Sequence, residues 1–404
     1  MRKIDVMIGV FGLLVTVTQA KPLKVYILAG QSNMEGQATV STFDHIGMDP
    51  KTAPMLKDMR TEEGTPRVCK EVYISLLTAK GGWGKTPEPV EKSGELTVGF
   101  GAQKGLKFGP EFTFGIYMHK HIKEPFLIIK TAWGGKSLNT DFRSPSAGPY
   151  VWNEKLAASR TDEQKEQKKK ATGVYYRLMI DYVKKVLIDP GKVHPAYNKK
   201  DGYEIAGFVW FHGFNDMVDR WTYPNRNKPD GYALYSELLS HFIRDVRKDL
   251  GAPKMPFVIG VIGVDGVPTK ESEAKVQARY RGIRPGIRKA MAAPASMPEF
   301  KDNVIAVHTG KYWDYELHEL ADRQWKQLGP KIKEAEKNKQ LTREQKKALS
   351  EKITNEVYTP HELMILKAGW SNKAYHYLGS AKIMGQIGKG FADAMAELNS
   401  KQDD

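Results

Sequence analysis

Five short apolar runs constrain the fold of this chain most strongly: Lys24–Ala29, Phe126–Thr131, Ala206–Phe211, Phe257–Ile262 and Asn303–His308. Each is rich in Val, Ile or Phe and alternates little with polar residues. Runs of this length are short for helices, and a strand apolar on both sides belongs in a parallel sheet covered on both faces. Helical patterns stand between and after them. Pro110–Ile122 opens on a proline followed by Glu111, a favourable first turn. Val174–Leu187 repeats apolar residues at Val174, Leu178, Tyr182 and Val186. Tyr232–Leu250 carries Tyr235, Leu238, Leu239, Phe242, Ile243 and Val246, with Gly251 as its stop. Ser380–Leu398 carries Ile383, Ile387, Phe391, Ala394 and Leu398. Strands alternating with helices predict an α/β fold with a doubly wound, five-stranded parallel sheet.

Two stretches read as insertions. Residues 49–108 are rich in Gly, Pro and Lys, with strands expected at Val72–Leu76 and Glu95–Phe100. Residues 320–357 read as a charged helical hairpin that turns at Gln340-Leu341-Thr342, with Thr342 as an N-cap. Residues 1–20 read as an export signal. Arg2 and Lys3 form its basic start, Val6–Val17 is almost wholly apolar, and Thr18-Gln19-Ala20 resembles a small-residue cleavage site. A secreted or periplasmic protein is expected, with residues 21–400 as one domain. No later run is long enough to span a membrane. The single cysteine, Cys69, allows no internal disulfide and no all-cysteine metal site.

The 404 residues carry a formal charge of +15. The lysines concentrate in Glu163–Lys170 and Lys326–Lys352, mixed with Glu and polar residues, as on solvated helix faces. No nucleic-acid-binding fingerprint accompanies them, so no nucleic-acid partner is expected. Attraction to an anionic polysaccharide is compatible with the same charge.

The chemistry concentrates at strand ends. The first apolar run ends in Gly30-Gln31-Ser32-Asn33-Met34-Glu35-Gly36, which leaves the Ser32 hydroxyl at the carboxyl edge of the sheet, where open α/β sheets bind ligands. A serine esterase needs a nucleophile, a base and fixed donors for an oxyanion. The third run ends in Trp210-Phe211-His212-Gly213-Phe214-Asn215-Asp216, and the Asn215 amide is suited to donate to an oxyanion. The second ends in Thr131-Ala132-Trp133-Gly134-Gly135-Lys136-Ser137, where Gly134 and Gly135 permit close approach of backbone N–H groups. His376, between the fifth run and the last helix, returns to the same edge as a candidate base; His212 and His308 also end strands and rival it. Each feature alone is explained by a plain turn, but three such turns at successive strand ends are harder to dismiss.

Together these blocks resemble the SGNH (GDSL-like) hydrolase superfamily, in its sialate O-acetylesterase-like branch of carbohydrate esterases. Gly30-Gln31-Ser32-Asn33-Met34 looks like the branch's nucleophile block, Ala132–Ser137 like its second block, and Gly213-Phe214-Asn215-Asp216 like the superfamily's G-x-N-D block. The resemblance implies a flavodoxin-like α/β/α sandwich and an acyl-enzyme route that needs neither metal nor cofactor. It makes Ser32 the nucleophile and His376 the base. Backbone N–H groups of Ser32 and the Gly134-Gly135 turn, with the Asn215 amide, become the oxyanion hole. The chain departs from the pattern in two places. Lys373 stands three residues before the histidine, where the superfamily commonly has Asp, and Phe214 stands where some relatives carry a catalytic carboxylate. The group that orients His376 is therefore open between Asp216, Glu362, a backbone carbonyl and none at all.

The expected activity is removal of O-acetyl groups from carbohydrate, of the sialate or acetylxylan type. Gln31, Trp133 and Phe214 are expected to touch substrate. Trp133, Phe214 and Trp221 offer a platform for a sugar ring, while Trp210, inside a strand, reads better as core. The alternatives are a carbohydrate-binding protein that kept the fold and lost turnover, and a basic binder of anionic polymer.

Overall fold

The computed structural model describes residues 21–80, 88–102, 105–274, 277 and 280–403; the expected export signal lies outside them. In chain order the strands among these residues are β1 (Leu23–Gly30), β2 (Ala38–Thr39), β3 (Cys69–Lys80), β4 (Glu88–Leu96), β5 (Lys107–Phe108), β6 (Phe126–Ala132), β7 (Tyr203–Phe211), β8 (Phe257–Val261) and β9 (Val304–His308). Seven of them form one sheet in the order β4-β3-β6-β1-β7-β8-β9. The five apolar runs become β1, β6, β7, β8 and β9, which lie side by side and parallel.

The expected count of five strands is too low. β3 pairs in parallel with β6, and β4 closes that edge antiparallel to β3. Both come from the stretch read as an insertion, so part of it belongs to the sheet. Val72, Ile74, Leu76 and Leu77 of β3 are buried, whereas β4 is exposed along most of its length and carries Glu88, Glu91, Lys92 and Glu95. A charged edge strand suits solvent and resists pairing with other chains, which is why its sequence does not read as a core strand. The strand expected at Glu95–Phe100 ends at Leu96.

Helices cover both faces. Glu111–Ile122 and Ala381–Asp403 pack on one face, where Phe391 meets Phe211 and Phe114 meets Tyr26. Val174–Ile188 and Ala233–Asp249 pack on the other, where Phe242 meets Trp210, Phe208 and Tyr176. Neighbours Trp210 and Phe211 thus serve opposite layers, as the two-residue period of a strand requires. Every residue of the expected stripe in Ala233–Asp249 is buried. In Val174–Ile188 Tyr182 and Val186 of the expected stripe are buried, but the buried face also takes in Tyr175, Tyr176, Met179, Ile180 and Val183, and Leu178 is 42% exposed. The adjoining tyrosines take the core side, which turns Leu178 outward.

The charged hairpin forms as helices Gly329–Lys337 and Arg343–Val357. Thr342 and Gln345 cap the second helix reciprocally, and no residue of that helix is buried. Among the described residues no helix is long and apolar enough to cross a membrane.

One ion pair lies wholly inside. The Lys130 ammonium of β6 meets the Glu111 carboxylate at 2.6 Å with both side chains fully buried. It also donates to the carbonyls of Glu35 at 3.0 Å and Phe100 at 2.9 Å, while Glu111 accepts the Gly109 N–H at 2.9 Å. Every strong donor and acceptor here has a partner, the condition under which buried charge is tolerated. Glu111→Ala strands the ammonium and is expected to lower unfolding free energy by about 3–5 kcal/mol. Urea unfolding of the variant against wild type measures this; an unchanged midpoint would mean that the ammonium finds other partners.

Candidate active site

The three central strands end level with one another: Gly30 of β1 lies opposite Ala132 of β6 on one side and Phe211 of β7 on the other. β6 and β7 follow β1 in the chain but flank it on opposite sides. The crevice between β1 and β7 is therefore the switch point of the sheet, the usual ligand site of such folds. Gly30 has no alternative residue, because a Cβ there would lie 2.2 Å from the Phe211 carbonyl oxygen.

Beyond Gly30 the chain makes a single helical turn, Ser32–Glu35, with Met34 buried beneath it. Ser32 is half-buried, and its hydroxyl makes no hydrogen bond among the described residues. The Gly134–Gly135 turn is exposed, and a Cβ built on Gly134 would sit 3.7 Å from that of Ser32. The Gly134 N–H faces the Glu35 carboxylate, so one of the two expected oxyanion donors has a nearer partner. Burial raises the Glu35 pKa, and the Thr78 hydroxyl, donating at 3.1 Å, pulls it back. Gly135 sits in the left-handed region at φ 76°, and its N–H has no hydrogen-bond partner among the described residues.

Hydrogen bonds join the turns. The Asn215 N–H donates to Gln31 Oε1 at 3.3 Å, which ties the third block to the residue before Ser32. The Asn215 side chain is half-buried and without a protein partner among the described residues. Asn33 Nδ2 donates to the Tyr375 carbonyl at 3.2 Å, and the Tyr375 ring lies 5.6 Å from that of Phe214 and 4.5 Å from that of His376. The structure thus gathers Ser32, Gly134, Gly135, Asn215, Phe214 and the His376 loop at one end of β1. No hydrogen bond links Ser32 to His376.

Neither carboxylate expected behind His376 is there. Asp216 is fully buried and accepts the N–H groups of Leu138 at 2.8 Å and Asn139 at 3.2 Å, and the Tyr223 hydroxyl at 3.0 Å. Burial raises its pKa to about 7 against the pull of those donors. Its work is to pin the second block to the third. Glu362 pairs with Arg323 and closes the capping box with Thr359 at the start of helix Pro360–Gly369. At the position expected for a triad Asp stands Lys373, and its ammonium sits 2.9 Å from the centroid of the Trp325 ring. The atom that meets His376 Nδ1 is Asn372 Oδ1, at 3.1 Å. Burial, and then the charge of Lys107, lower the His376 pKa to about 4. Asn372 sits four residues before the histidine, one place off the familiar spacing, so the sequence pattern passed over it.

The rival histidines are placed elsewhere. His212 is buried, stacks on Trp210 at 4.8 Å and binds the Lys136 carbonyl through Nε2 at 3.0 Å. That contact requires the proton on Nε2, and burial holds the ring neutral, with its pKa lowered to about 3. His308 ends β9, three strand spacings or about 14 Å from β1. Two expected substrate contacts are also corrected. Gln31 is 1% exposed and bridges to Asn215, and Trp133 is 4% exposed and packs on Phe142 and Tyr175. A strand-end side chain that faces inward completes the core rather than a platform. Trp210 is core as expected, while Trp221 is 48% exposed beside Arg220.

The family model for the carbohydrate esterase, sialic acid-specific acetylesterase (SASA) family matches residues 22–296. The chain belongs to this family. The match bears out the resemblance read from the three sequence blocks; it contains Ser32, Gly134, Gly135 and Asn215 and stops short of His376. Similar solved structures include a protein from Arabidopsis thaliana, 16% identical over 71% of this chain and 86% of that one, with a TM-score of 0.37. Another is a carbohydrate acetylesterase from Xanthomonas citri, 16% identical over 67% of this chain and 48% of that one, with a TM-score of 0.33. None of the curated proteins matches the chain.

Asp216→Asn presents an amide N–H₂ where backbone N–H groups need an acceptor. It is expected to cost about 1–3 kcal/mol of stability and to loosen the second block against the third. Thermal unfolding together with amide exchange at Leu138 and Asn139 checks this; unchanged protection there would show that the carboxylate does not hold the turn.

Proposed function

We propose that this family member is a serine esterase that removes O-acetyl groups from carbohydrate. Ser32 attacks the acetyl carbonyl, and its proton passes to Nε2 of His376. The tetrahedral oxyanion is met by the Asn215 amide and the N–H groups of Ser32 and Gly135. On collapse of the intermediate, His376 returns the proton to the departing sugar hydroxyl and the acetyl group stays on Ser32. Water, deprotonated by the same imidazole, then releases acetate. The observation that supports this most is the meeting of the Ser32 turn, the Asn215 turn and the His376 loop, fastened by the Gln31–Asn215 and Asn33–Tyr375 hydrogen bonds. Nucleophile–base contacts are commonly long before substrate binds, so the missing Ser32–His376 bond is compatible with the assignment. The half-buried Phe214 and exposed Tyr375 give an aromatic rim on which the sugar rests. The reading extends to export, on the pattern of residues 1–20.

The binding-only alternative shares the site but predicts no turnover. Acetate release from an aryl acetate and from O-acetylated sialic acid and xylan separates the two. Ser32→Ala is expected to abolish release, and equal rates for Ser32→Ala and wild type would end the esterase reading. Asn215→Ala, which removes a side-chain donor to the oxyanion, is expected to lower kcat by about 10²–10³-fold with little change in KM. A loss confined to KM would make Asn215 a binding residue instead.

A further inference from the structure

We infer that Asn372 is the positioning residue for His376, so that the esterase uses a Ser32–His376–Asn372 arrangement with a neutral amide where a Ser–His–Asp triad places a carboxylate. This rests on the function proposed above. His376 Nδ1 lies 3.1 Å from Asn372 Oδ1. Two further bonds fix which end of the amide faces the ring. Asn372 Oδ1 accepts the Lys373 N–H at 2.7 Å, so this atom is the oxygen. The other end, Nδ2, reaches Gln37 Oε1 at 3.4 Å, and that oxygen also accepts the Lys107 ammonium at 2.9 Å. An acceptor at Gln37 requires a donor from Asn372, so the amide cannot flip without losing both contacts. With an oxygen before it, Nδ1 must carry the proton. Nε2 is then left bare, the tautomer that a general base requires.

The same chain of contacts explains the electrostatics. A carboxylate behind the ring would fix the tautomer and also stabilise the imidazolium formed when the serine proton arrives. Asn372 does the first without the second. Lys107, at the far end of the chain, acts in the opposite sense, and with burial it depresses the His376 pKa. The other charges around the loop are matched elsewhere: Lys373 over Trp325, Glu35 against Thr78, and Lys382 with Asp314 and Asp49. The base therefore stays unprotonated far into the acid range, and activity should persist down to about pH 4. Placing Asp at 372 keeps the acceptor and adds the missing charge, which favours imidazolium. The acidic limb of the profile should then move upward by about 1–2 pH units.

The test joins kinetics to a spectroscopic readout on the full chain. In protein labelled with ¹⁵N-histidine, His376 is assigned by the signals lost in His376→Ala, and its tautomer is read from long-range ¹H–¹⁵N correlations. Wild type and Asn372→Asp should both show the Nδ1–H form, and Asn372→Ala a mixture. Asn372→Ala should lower kcat by about 10–10³-fold at little changed KM, and Asn372→Asp should keep turnover with the shifted limb. An Nε2–H form in wild type, or an Asn372→Ala variant with the wild-type tautomer and kcat, overturns the inference. An Asn372→Asp profile that does not move overturns it as well, and that isosteric variant keeps the test open if the alanine variant does not fold. The tautomer readout does not depend on turnover. An inactive wild type with the Nδ1–H form therefore defeats the esterase reading, whereas an active one with the Nε2–H form defeats the role of Asn372.

Discussion

The Lys130 ammonium is the point on which the rest of the site depends. It sits fully buried in the sheet, and it needs acceptors from three parts of the chain that are otherwise unrelated. Glu111 comes from the helix before β6, Phe100 from the inserted stretch, and the Glu35 carbonyl from the turn that carries Ser32. A buried cation tolerates no missing partner, so these three segments are held in one arrangement or the charge is exposed to a large penalty. The helical turn after β1 is too short to be stable alone. It is fixed from beneath by this ion and by the buried Met34, and beside it Gly30 lets β7 approach.

From that base the order of the strands does the rest. Parallel strands end on one edge, and a chain that leaves β1 for opposite sides opens a gap above it. Polar residues placed there by three separate turns need only short bonds to come into register. The structure supplies them through Gln31 to Asn215, Asn33 to Tyr375 and Asp216 to the turn after β6. Asp216 and His212 look like catalytic groups in the sequence, since both are titratable and both follow a strand. Their burial shows the opposite use. Each makes hydrogen bonds with backbone groups in or just after the second block, which keeps the Gly134–Gly135 turn beside Ser32.

Much of this was legible in the sequence, for physical reasons that differ by element. A central strand must be apolar on both faces, so β1, β6, β7, β8 and β9 announce themselves. An edge strand is under no such demand, and β4 with its charges does not. Helix Ala233–Asp249 shows its stripe because its outer face is polar; helix Val174–Ile188 gathers three tyrosines on its buried face, so only part of that face, Tyr182 and Val186, is legible as core. Ser32 and Asn215 were visible because polar residues directly after buried strands are conspicuous. Asn372 was not, since its significance lies in contacts with Gln37 and Lys107, which come from more than 260 positions away in the chain. Trp133 shows the same limit from the other side, because the sequence does not say which way a strand-end ring turns.

The loop that carries His376 has a feature that bears on how the site closes. Tyr377 and Leu378, both non-glycine and both buried, adopt left-handed backbone at φ 51° and 61°. Such residues cost roughly 1–3 kcal/mol each and persist only where the surroundings impose them. Here the Tyr377 hydroxyl accepts the Gly263 N–H at 2.7 Å and meets the Thr309 hydroxyl at 2.7 Å, while the Leu378 carbonyl accepts the N–H groups of Ser371 and Asn372. The backbone is thereby fastened to the ends of β8 and β9 and to the segment holding Asn372. A loop strained and tied in this way does not swing. In the mechanism proposed above, the imidazole would therefore reach the Ser32 hydroxyl by rotation of the two side chains about a fixed frame, with Nδ1 keeping its contact to Asn372.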